Sequence, residues 1–512
     1  MNTPVPHAIY RSRLIWLTAV LWLGFGLRLY RLDGQSLWWD EMATVARAAI
    51  PLQEMFADLL RIRNHMPLYF LVIRLWAMLG YGAFIMRYFS LIWGVLSLPL
   101  IYQVGRLLGS KTVGFLAMLL LAVSPFHIWY SQEARMYTFL AFTLLLAHWF
   151  LLRTFPHPSL YNWVGYALAM LIALYTHYLA ALILIAHYAF FAWHYRRLRS
   201  HFRSWLAAAG SVGLLFGLWF GYMMLTGGFR DAPISWIPPA TWVDPILTLL
   251  AFSAGPSINP AKGIVFLPLI FMAMGMGVCL ARYGRLPAID VGKQDIAQLQ
   301  PYFFARLLFF WLTIPLLLLL LISLDLPVTQ KRSIYMDRYL IIILPALLLL
   351  AAWGFALLTE QKRVWWLLPL TYGAIVLFAA ASLNNMYHNP HYARTDWRAA
   401  IAQLETLWQA GDTLVIDPSQ ILPLAYYATR DNTEPIVVAD VTEMNRELFT
   451  TAQRIWVMEI FENVDQHGFP QKRNQQLANE RLAYHDWLAN RFPIVQEWEY
   501  TGIRLTLFDA IP

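Results

Sequence analysis

Long apolar stretches recur through the first three quarters of the chain, separated by short polar or basic punctuation. They run at about 14–30, 83–105, 112–128, 136–152, 161–176, 178–195, 205–225, 263–281, 306–324, 339–358 and 364–383. Each approaches the roughly 20 residues that a helix needs to cross a hydrocarbon core of about 30 Å. A further stretch at 66–79 is short and carries Arg74 in its middle, which predicts an interfacial helix rather than a span. Beyond Asn384 the period changes. Strand-like runs at 413–416, 435–438 and 454–459 alternate with helical patterns at 397–409 and 475–491, as in a small α/β domain. The expected fold class is an α-helical polytopic membrane protein of about eleven transmembrane helices with a C-terminal α/β soluble domain. The expected division is 1–383, including a first polar loop at 31–82, and 384–512.

Composition sharpens this picture. The 512 residues are 59% hydrophobic and only 13% charged. A formal charge of +8 raises nucleic acid as a partner. The cations, however, lie in short clusters between apolar runs, as in inside loops that meet lipid headgroups, so no nucleic acid is expected. The single cysteine, Cys279, allows no internal disulfide. The first span follows Arg11 and Arg13 without a small-residue cleavage site, and reads as a retained anchor.

Loop charge sets the orientation. Arg106/Lys111, Arg153, Arg196–Arg199, Arg282/Arg285 and Lys362/Arg363 fall on one side, which the positive-inside rule makes cytoplasmic. The opposite side receives Asp33, Asp40, Glu41, Glu54, Asp58, Glu133, Asp231, Asp244, Asp325 and Asp337. Seventeen of the thirty acidic residues lie beyond Asn384. By parity, the tail and the acidic loops are extracytoplasmic, in a plasma (inner) membrane, and the tail is expected to contribute little to any chemical step.

Adjacent carboxylates at a membrane surface cost solvation unless paired or used, which draws attention to Asp40 and Glu41. Asp40 falls near a helix start, so a capping aspartate with a solvated glutamate is the simpler alternative. The next outer turn, Ser124-Pro-Phe-His127-Ile-Trp-Tyr130-Ser-Gln132-Glu133-Ala-Arg135-Met-Tyr137, carries more polar groups than chain reversal requires. Arg135 there either pairs with Glu133 or binds a phosphate. Lys331, Arg332 and Arg338, with Tyr339, place cations against the inside bias, as a grip on an anionic headgroup or a solvated loop would. His65 and Tyr69, in Asn64-His65-Met66-Pro67-Leu68-Tyr69, and His177, in Thr176-His177-Tyr178, sit at the outer boundary, as hydrogen-bonded groups more readily than as metal ligands.

Taken together, Trp39-Asp40-Glu41, the His65-Met-Pro-Leu-Tyr69 run, the Ser124–Tyr137 run, Thr176-His177-Tyr178 and Asp337-Arg338-Tyr339 resemble the bacterial GT-C glycosyltransferases related to protein O-mannosyltransferases. These include the family 39 enzymes, the lipid A aminoarabinose transferases and the rhizobial galacturonosyltransferases. The likeness covers roughly the first 360 residues. His-Met-Pro-Leu departs from the usual His-Pro-Pro-Leu, which loosens a turn and removes no reactive group.

The resemblance implies an inverting hexosyl- or pentosyltransferase that takes a sugar from a polyprenyl-phosphate donor to a glycolipid, glycan or protein acceptor on the outer face. It assigns Asp40 as general base with Glu41 as its acidic neighbour, and Arg135, Arg338 and Tyr339, with Lys331 and Arg332, to the donor phosphate. His65, Tyr69, Gln132, Glu133, Tyr137 and His177 are the expected pocket residues. No cofactor is certain, and a divalent metal at Glu41 stays open. The chemistry is consistent: a carboxylate accepts the acceptor's hydroxyl proton while cations stabilise the departing phosphate, which needs no second acid. A lipid-linked sugar flippase or transporter, or a noncatalytic envelope assembly protein, is the competing class. A flippase predicts internal symmetry and broken helices at the midplane.

Overall fold

The computed structural model describes residues 7–62, 65–156, 158–226, 237–285, 296–325, 333–360, 366–429, 435–438, 444, 446–460 and 485–510. They divide into two compact units. One comprises residues 1–30, 50–80 and 85–383, the other residues 31–49, 81–84 and 384–512.

The first unit is helical, and all eleven predicted apolar runs fall on helices. Among the described residues, seven helices are long and apolar enough to cross a membrane: Ala83–Leu108, Tyr137–Thr154, Arg199–Leu225, Gly263–Tyr283, Gln300–Ser323, Asp337–Thr359 and Leu367–His388. Lys111–Val123 and Pro125–Ser131 make an eighth if they count as one span, bent by 61°. Leu160–Thr176 and Ala180–Trp193 are shorter apolar helices, and His7–Leu29 covers the first run. The stretch expected at the interface is a helix at Pro67–Trp76 with a 3₁₀ turn at Ala77–Leu79. Ten helical residues reach only about 15 Å, half of a bilayer core.

The chain is a multi-pass membrane protein. Leu214, Leu218 and Leu377 project outward about 70% exposed, a surface that lipid accepts and water does not. The centre of the unit is the Asp337–Thr359 span, nearly all of it buried. It begins as a 3₁₀ helix at Asp337–Ile343, and the Ile342 carbonyl accepts the Trp311 indole N–H at 2.7 Å. Without side chains at Gly354 and Gly275 its neighbour Leu267–Tyr283 comes into backbone contact, since a Cβ on Gly354 would collide with the Gly275 carbonyl.

The second unit is built on a five-stranded sheet: β1 (Asp412–Ile416), β2 (Ile436–Val437), β3 (Arg454–Ile460), β4 (Ile494–Tyr500) and β5 (Ile503–Asp509). Their order is β2-β1-β3-β5-β4. β1 pairs in parallel with both β2 and β3, whereas β5 runs antiparallel to β3 and β4. The three predicted strands are β1, β2 and β3. The β4–β5 hairpin was not anticipated, although Thr501-Gly502 marks its turn and Gly502 takes φ +73°, a conformation that favours glycine. Trp397–Leu407 covers the first predicted helix. Of the second, residues 485–489 are helical and 475–484 lie outside the described residues.

The tail from Asn384 forms one compact unit together with part of the first polar loop. Residues 31–49 cluster with the tail. Ser36 Oγ donates to Asp396 Oδ1 at 3.0 Å, the Tyr427 hydroxyl accepts the Leu37 amide at 2.7 Å, and Arg398 pairs with Asp33 at 2.7 Å. Polar groups at a span end need partners, and here the tail supplies them.

Candidate active site

In the α/β unit, Asp40 and Glu41 open the helix Trp39–Ala49. The simpler sequence alternative inverts. Glu41 is the buried one, and its Oε2 accepts the Trp38 amide at 3.2 Å, so Glu41 rather than Asp40 turns back onto the helix start. The same oxygen forms an ion pair with Arg394, whose side chain is only 11% exposed. A buried carboxylate paired in this way can anchor the helix that carries Asp40. Arg394 belongs to the tail. Asp40 is half-buried in the first turn of the same helix.

In the helical unit, the Ser124–Tyr137 run is a broken helix. Pro125 has no N–H to give the Leu121 carbonyl, so the Lys111–Val123 helix ends and a second begins, capped by Ser124 Oγ on the His127 amide at 3.3 Å. Arg28, fully buried on the first helix, supplies the missing donors. Its Nη2 reaches the Leu121 carbonyl at 3.0 Å and His127 Nδ1 at 2.9 Å, and its Nη1 reaches the Ala122 carbonyl at 3.1 Å. A guanidinium only donates, so His127 Nδ1 is the acceptor and its proton sits on Nε2. At the far end, Gln132 Nε2 donates to the carbonyls of Arg28 and Tyr30 at 2.9 and 2.7 Å. Gln132, expected in the pocket, is therefore spent on holding the turn that presents Glu133 and Arg135.

Glu133, Arg135, Tyr137, Asp337 and Arg338 are all buried. The Arg135 carbonyl accepts Ser90 Oγ at 2.9 Å. Asp337 Oδ1 accepts Thr248 Oγ1, which lies 2.9 Å from the Tyr335 hydroxyl. Tyr130 lies within electrostatic reach of Glu133, Arg338, Tyr137 and Asp337, which brings the two motifs together.

His177 marks the centre of this group. Its ring packs on Tyr178 at 4.9 Å and on Tyr339 at 5.3 Å, and Arg338 lies over the Tyr339 ring at 5.6 Å. Burial first, then the charges of Arg135 and Arg338, push its pKa down to about 3. Nδ1 accepts the Leu179 amide at 3.2 Å, so the neutral ring carries its proton on Nε2.

Tyr69 is buried against Phe70 and Phe89, at 5.4 and 6.1 Å, and the half-buried His65 packs on Phe70 at 5.5 Å. Lys331 and Arg332 lie outside the described residues. Among the described residues no group of three or more His, Cys, Asp or Glu side chains could hold a metal, at Glu41 or elsewhere.

The architecture has known counterparts. The ArnT crystal structure from Cupriavidus metallidurans bound to undecaprenyl phosphate matches with a TM-score of 0.59 at 13% identity, covering 98% of each chain. The chain has the GT-C glycosyltransferase fold. The apo ArnT structure aligns at TM-score 0.56 and 14% identity over 98% of each chain. The archaeal oligosaccharyltransferase AglB from Archaeoglobus fulgidus, in complex with an inhibitory peptide and a dolichol-phosphate, aligns at 0.52 and 10%, covering 96% of this chain and 74% of its own. Residues 64–220 match the dolichyl-phosphate-mannose-protein mannosyltransferase family. The matched segment contains His65, Glu133, Arg135 and His177, and excludes Asp40 and Arg338. No functionally curated protein matches it in sequence.

Proposed function

We propose that this chain is a membrane glycosyltransferase that moves a sugar from a polyprenyl-phosphate donor to a hydroxyl of an envelope glycolipid, glycan or protein, on the outer face and with inversion. The observation that carries the reading is the convergence of Arg135 and Arg338 on a neutral His177 within a GT-C fold. Two guanidiniums and an imidazole N–H form a shell of donors, which suits a phosphodiester, an acceptor of hydrogen bonds only. The family match over residues 64–220 supports the same donor class.

In this reading Asp40 takes the proton of the acceptor hydroxyl as its oxygen bonds to the sugar C1. The C1–O bond to phosphate breaks on the opposite face of the ring, and the polyprenyl phosphate leaves with the bonding pair. Arg135 and Arg338 stabilise that developing charge. Glu41 and Arg394 hold the helix that carries Asp40. Lys331 and Arg332 are assigned to the same phosphate on sequence grounds.

The test uses purified chain in nanodiscs with a panel of undecaprenyl-phosphate sugars and envelope extracts as acceptors. Sugar should pass to an acceptor with stoichiometric release of undecaprenyl phosphate. Arg135→Lys and Arg338→Lys should each weaken donor binding about tenfold or more, because a lysine keeps the charge but loses the planar fork. Donor bound and never consumed, with both variants binding normally, would overturn the proposal.

A further inference from the structure

We propose that a buried hydrogen-bonded chain, Tyr166–His187–His148, holds Trp311 against the 3₁₀ segment that carries Arg338, and that these four are positioning residues for the Arg338 guanidinium. This rests on the donor-phosphate reading above and adds the device that aims one of its two arginines.

Tyr166, His148 and His187 take no part in the transfer chemistry, yet all three lie in the helical unit without exposed surface, as does Trp311. Polar side chains inside apolar helices are costly unless they are paired and used. These come from three helices, His148 from Tyr137–Thr154, Tyr166 from Leu160–Thr176 and His187 from Ala180–Trp193. Counting protons gives each atom one role. His148 Nδ1 donates to the Leu144 carbonyl at 2.8 Å, which leaves Nε2 as its acceptor. His187 Nε2 therefore donates to His148 Nε2 at 3.0 Å, and His187 Nδ1 accepts the Tyr166 hydroxyl at 2.9 Å. With both rings neutral every group in the chain has a partner, and neither ring turns without breaking a buried bond.

The fixed imidazole plane has a use. His148 lies flat on the indole of Trp311, with ring centroids 3.3 Å apart and planes within 9°. Trp311, on the helix Ile296–Ser323, donates its N–H to the Ile342 carbonyl at 2.7 Å. That carbonyl needs an outside donor. The Leu344 amide closes the 3₁₀ pattern onto Ile341, but Pro345 has no N–H to give Ile342. In an α-helix the same carbonyl would take the Ala346 amide, and the indole occupies its place. The seven residues Asp337–Ile343 are a long run for a 3₁₀ helix, a form that rarely exceeds three or four. A 3₁₀ helix rises about 2.0 Å and turns about 120° per residue, against about 1.5 Å and 100° in an α-helix. From Ile343 back to Arg338, relaxation to α-helix would therefore move Arg338 by about 2.5 Å along the axis and about 100° around it. Its place over Tyr339 and beside His177 depends on the 3₁₀ form, and the indole bond at the last turn keeps that form.

The experiment is a double-mutant cycle on the full chain in nanodiscs, with undecaprenyl phosphate binding read by calorimetry. Trp311→Phe keeps a ring against His148 and removes the indole N–H, so affinity should fall about tenfold. In the Arg338→Lys background the same change should shift affinity by less than about twofold, whereas in the Arg135→Lys background it should again cost about tenfold. A loss of packing alone would add equally in both backgrounds, so the difference between them reads positioning. His148→Phe keeps the stack and breaks the hydrogen-bonded chain, and should cost about fivefold with the same dependence on Arg338. Normal binding by Arg338→Lys would strike the donor-phosphate reading itself. Weakened binding by Arg338→Lys, with Trp311→Phe and His148→Phe harmless or equally damaging in both backgrounds, would overturn the positioning role alone. Failure of both variants to fold would assign the chain to stability and overturn that role as well.

Discussion

Arg394→Met isolates the contact that anchors the Asp40 helix. The substitution keeps an unbranched apolar stem and removes the guanidinium, leaving Glu41, with no exposed surface, as a buried carboxylate without its cation. Breaking a buried pair in this way costs about 3–5 kcal/mol. Glu41 keeps the Trp38 amide, and Arg394 is slightly solvated, so the low end applies, about 3 kcal/mol. At 1.4 kcal/mol per tenfold, local opening of residues 37–45 should become roughly 100-fold more frequent. Hydrogen–deuterium exchange of those amides measures it directly, and transfer should fall in parallel. Glu41→Gln in the same chain removes the stranded charge, so the double variant should recover about 2 kcal/mol of the loss. Exchange unchanged within threefold, or a double variant no better protected than Arg394→Met alone, would refute the anchor.

Other consequences are equally direct. Asp40→Asn should lower single-turnover transfer by about 10²-fold to 10⁴-fold with donor binding intact. Because Glu41 rather than Asp40 turns back onto the helix start, the melting temperature should stay within a few degrees. Arg28→Met removes the donor of the Ala122 carbonyl and leaves Leu121 only the Ser124 amide, so stability in detergent should drop by roughly 2 kcal/mol and donor binding should weaken with it, as calorimetry with undecaprenyl phosphate would record. Glu459 has a folded pKa of about 7 against an ordinary value of 4.5, so the folded state holds the proton longer. Stability of the α/β unit should therefore fall as pH rises from about 4.5 to 7 and then level off, by about 3 kcal/mol in total, and Glu459→Gln should flatten that slope in denaturant titrations. With His177 neutral down to about pH 3, donor affinity should be flat between pH 5 and 8, and a titration step near 6.5 that disappears in His177→Gln would contradict its placement.

What could be read from the sequence follows the range of the forces involved. Apolar runs report their own environment, since lipid imposes the same demand on every residue of a span, and each of the eleven runs is helical. β1 and β3 were legible as buried, continuous apolar strands, whereas β4 is largely exposed and alternates weakly, which hid the hairpin. The polar turns containing Arg135, His177 and Arg338 stood out because they break the apolar pattern. Their convergence did not, because it depends on how the spans pack. Arg28 looked like an ordinary basic residue at a span end. Only the bend beside Pro125 reveals that it completes another helix. The partner of Glu41 lies 353 residues away, and no local period could point to it.

The assignment of the two arginines rests on more than their charge. A site meant for a sugar alone would mix donors and acceptors, since each hydroxyl gives and takes. The two charged groups that act directly on His177 are of one kind. Arg135 and Arg338 can only donate, and the imidazole has spent its acceptor nitrogen on the Leu179 amide, leaving Nε2–H. A protonated His177 would add a third positive charge and also donate, but burial and its two neighbours suppress that form. The arrangement therefore keeps donors in place without paying for a third buried cation, and it does so independently of pH across the physiological range. Glu133 and Asp337 are buried in the same group, and in the proposed reading they offset the charge of the two guanidiniums that an incoming phosphodiester meets. In the proposed mechanism these donors favour the state in which charge grows on the leaving oxygen, and that difference between ground and transition state would accelerate transfer.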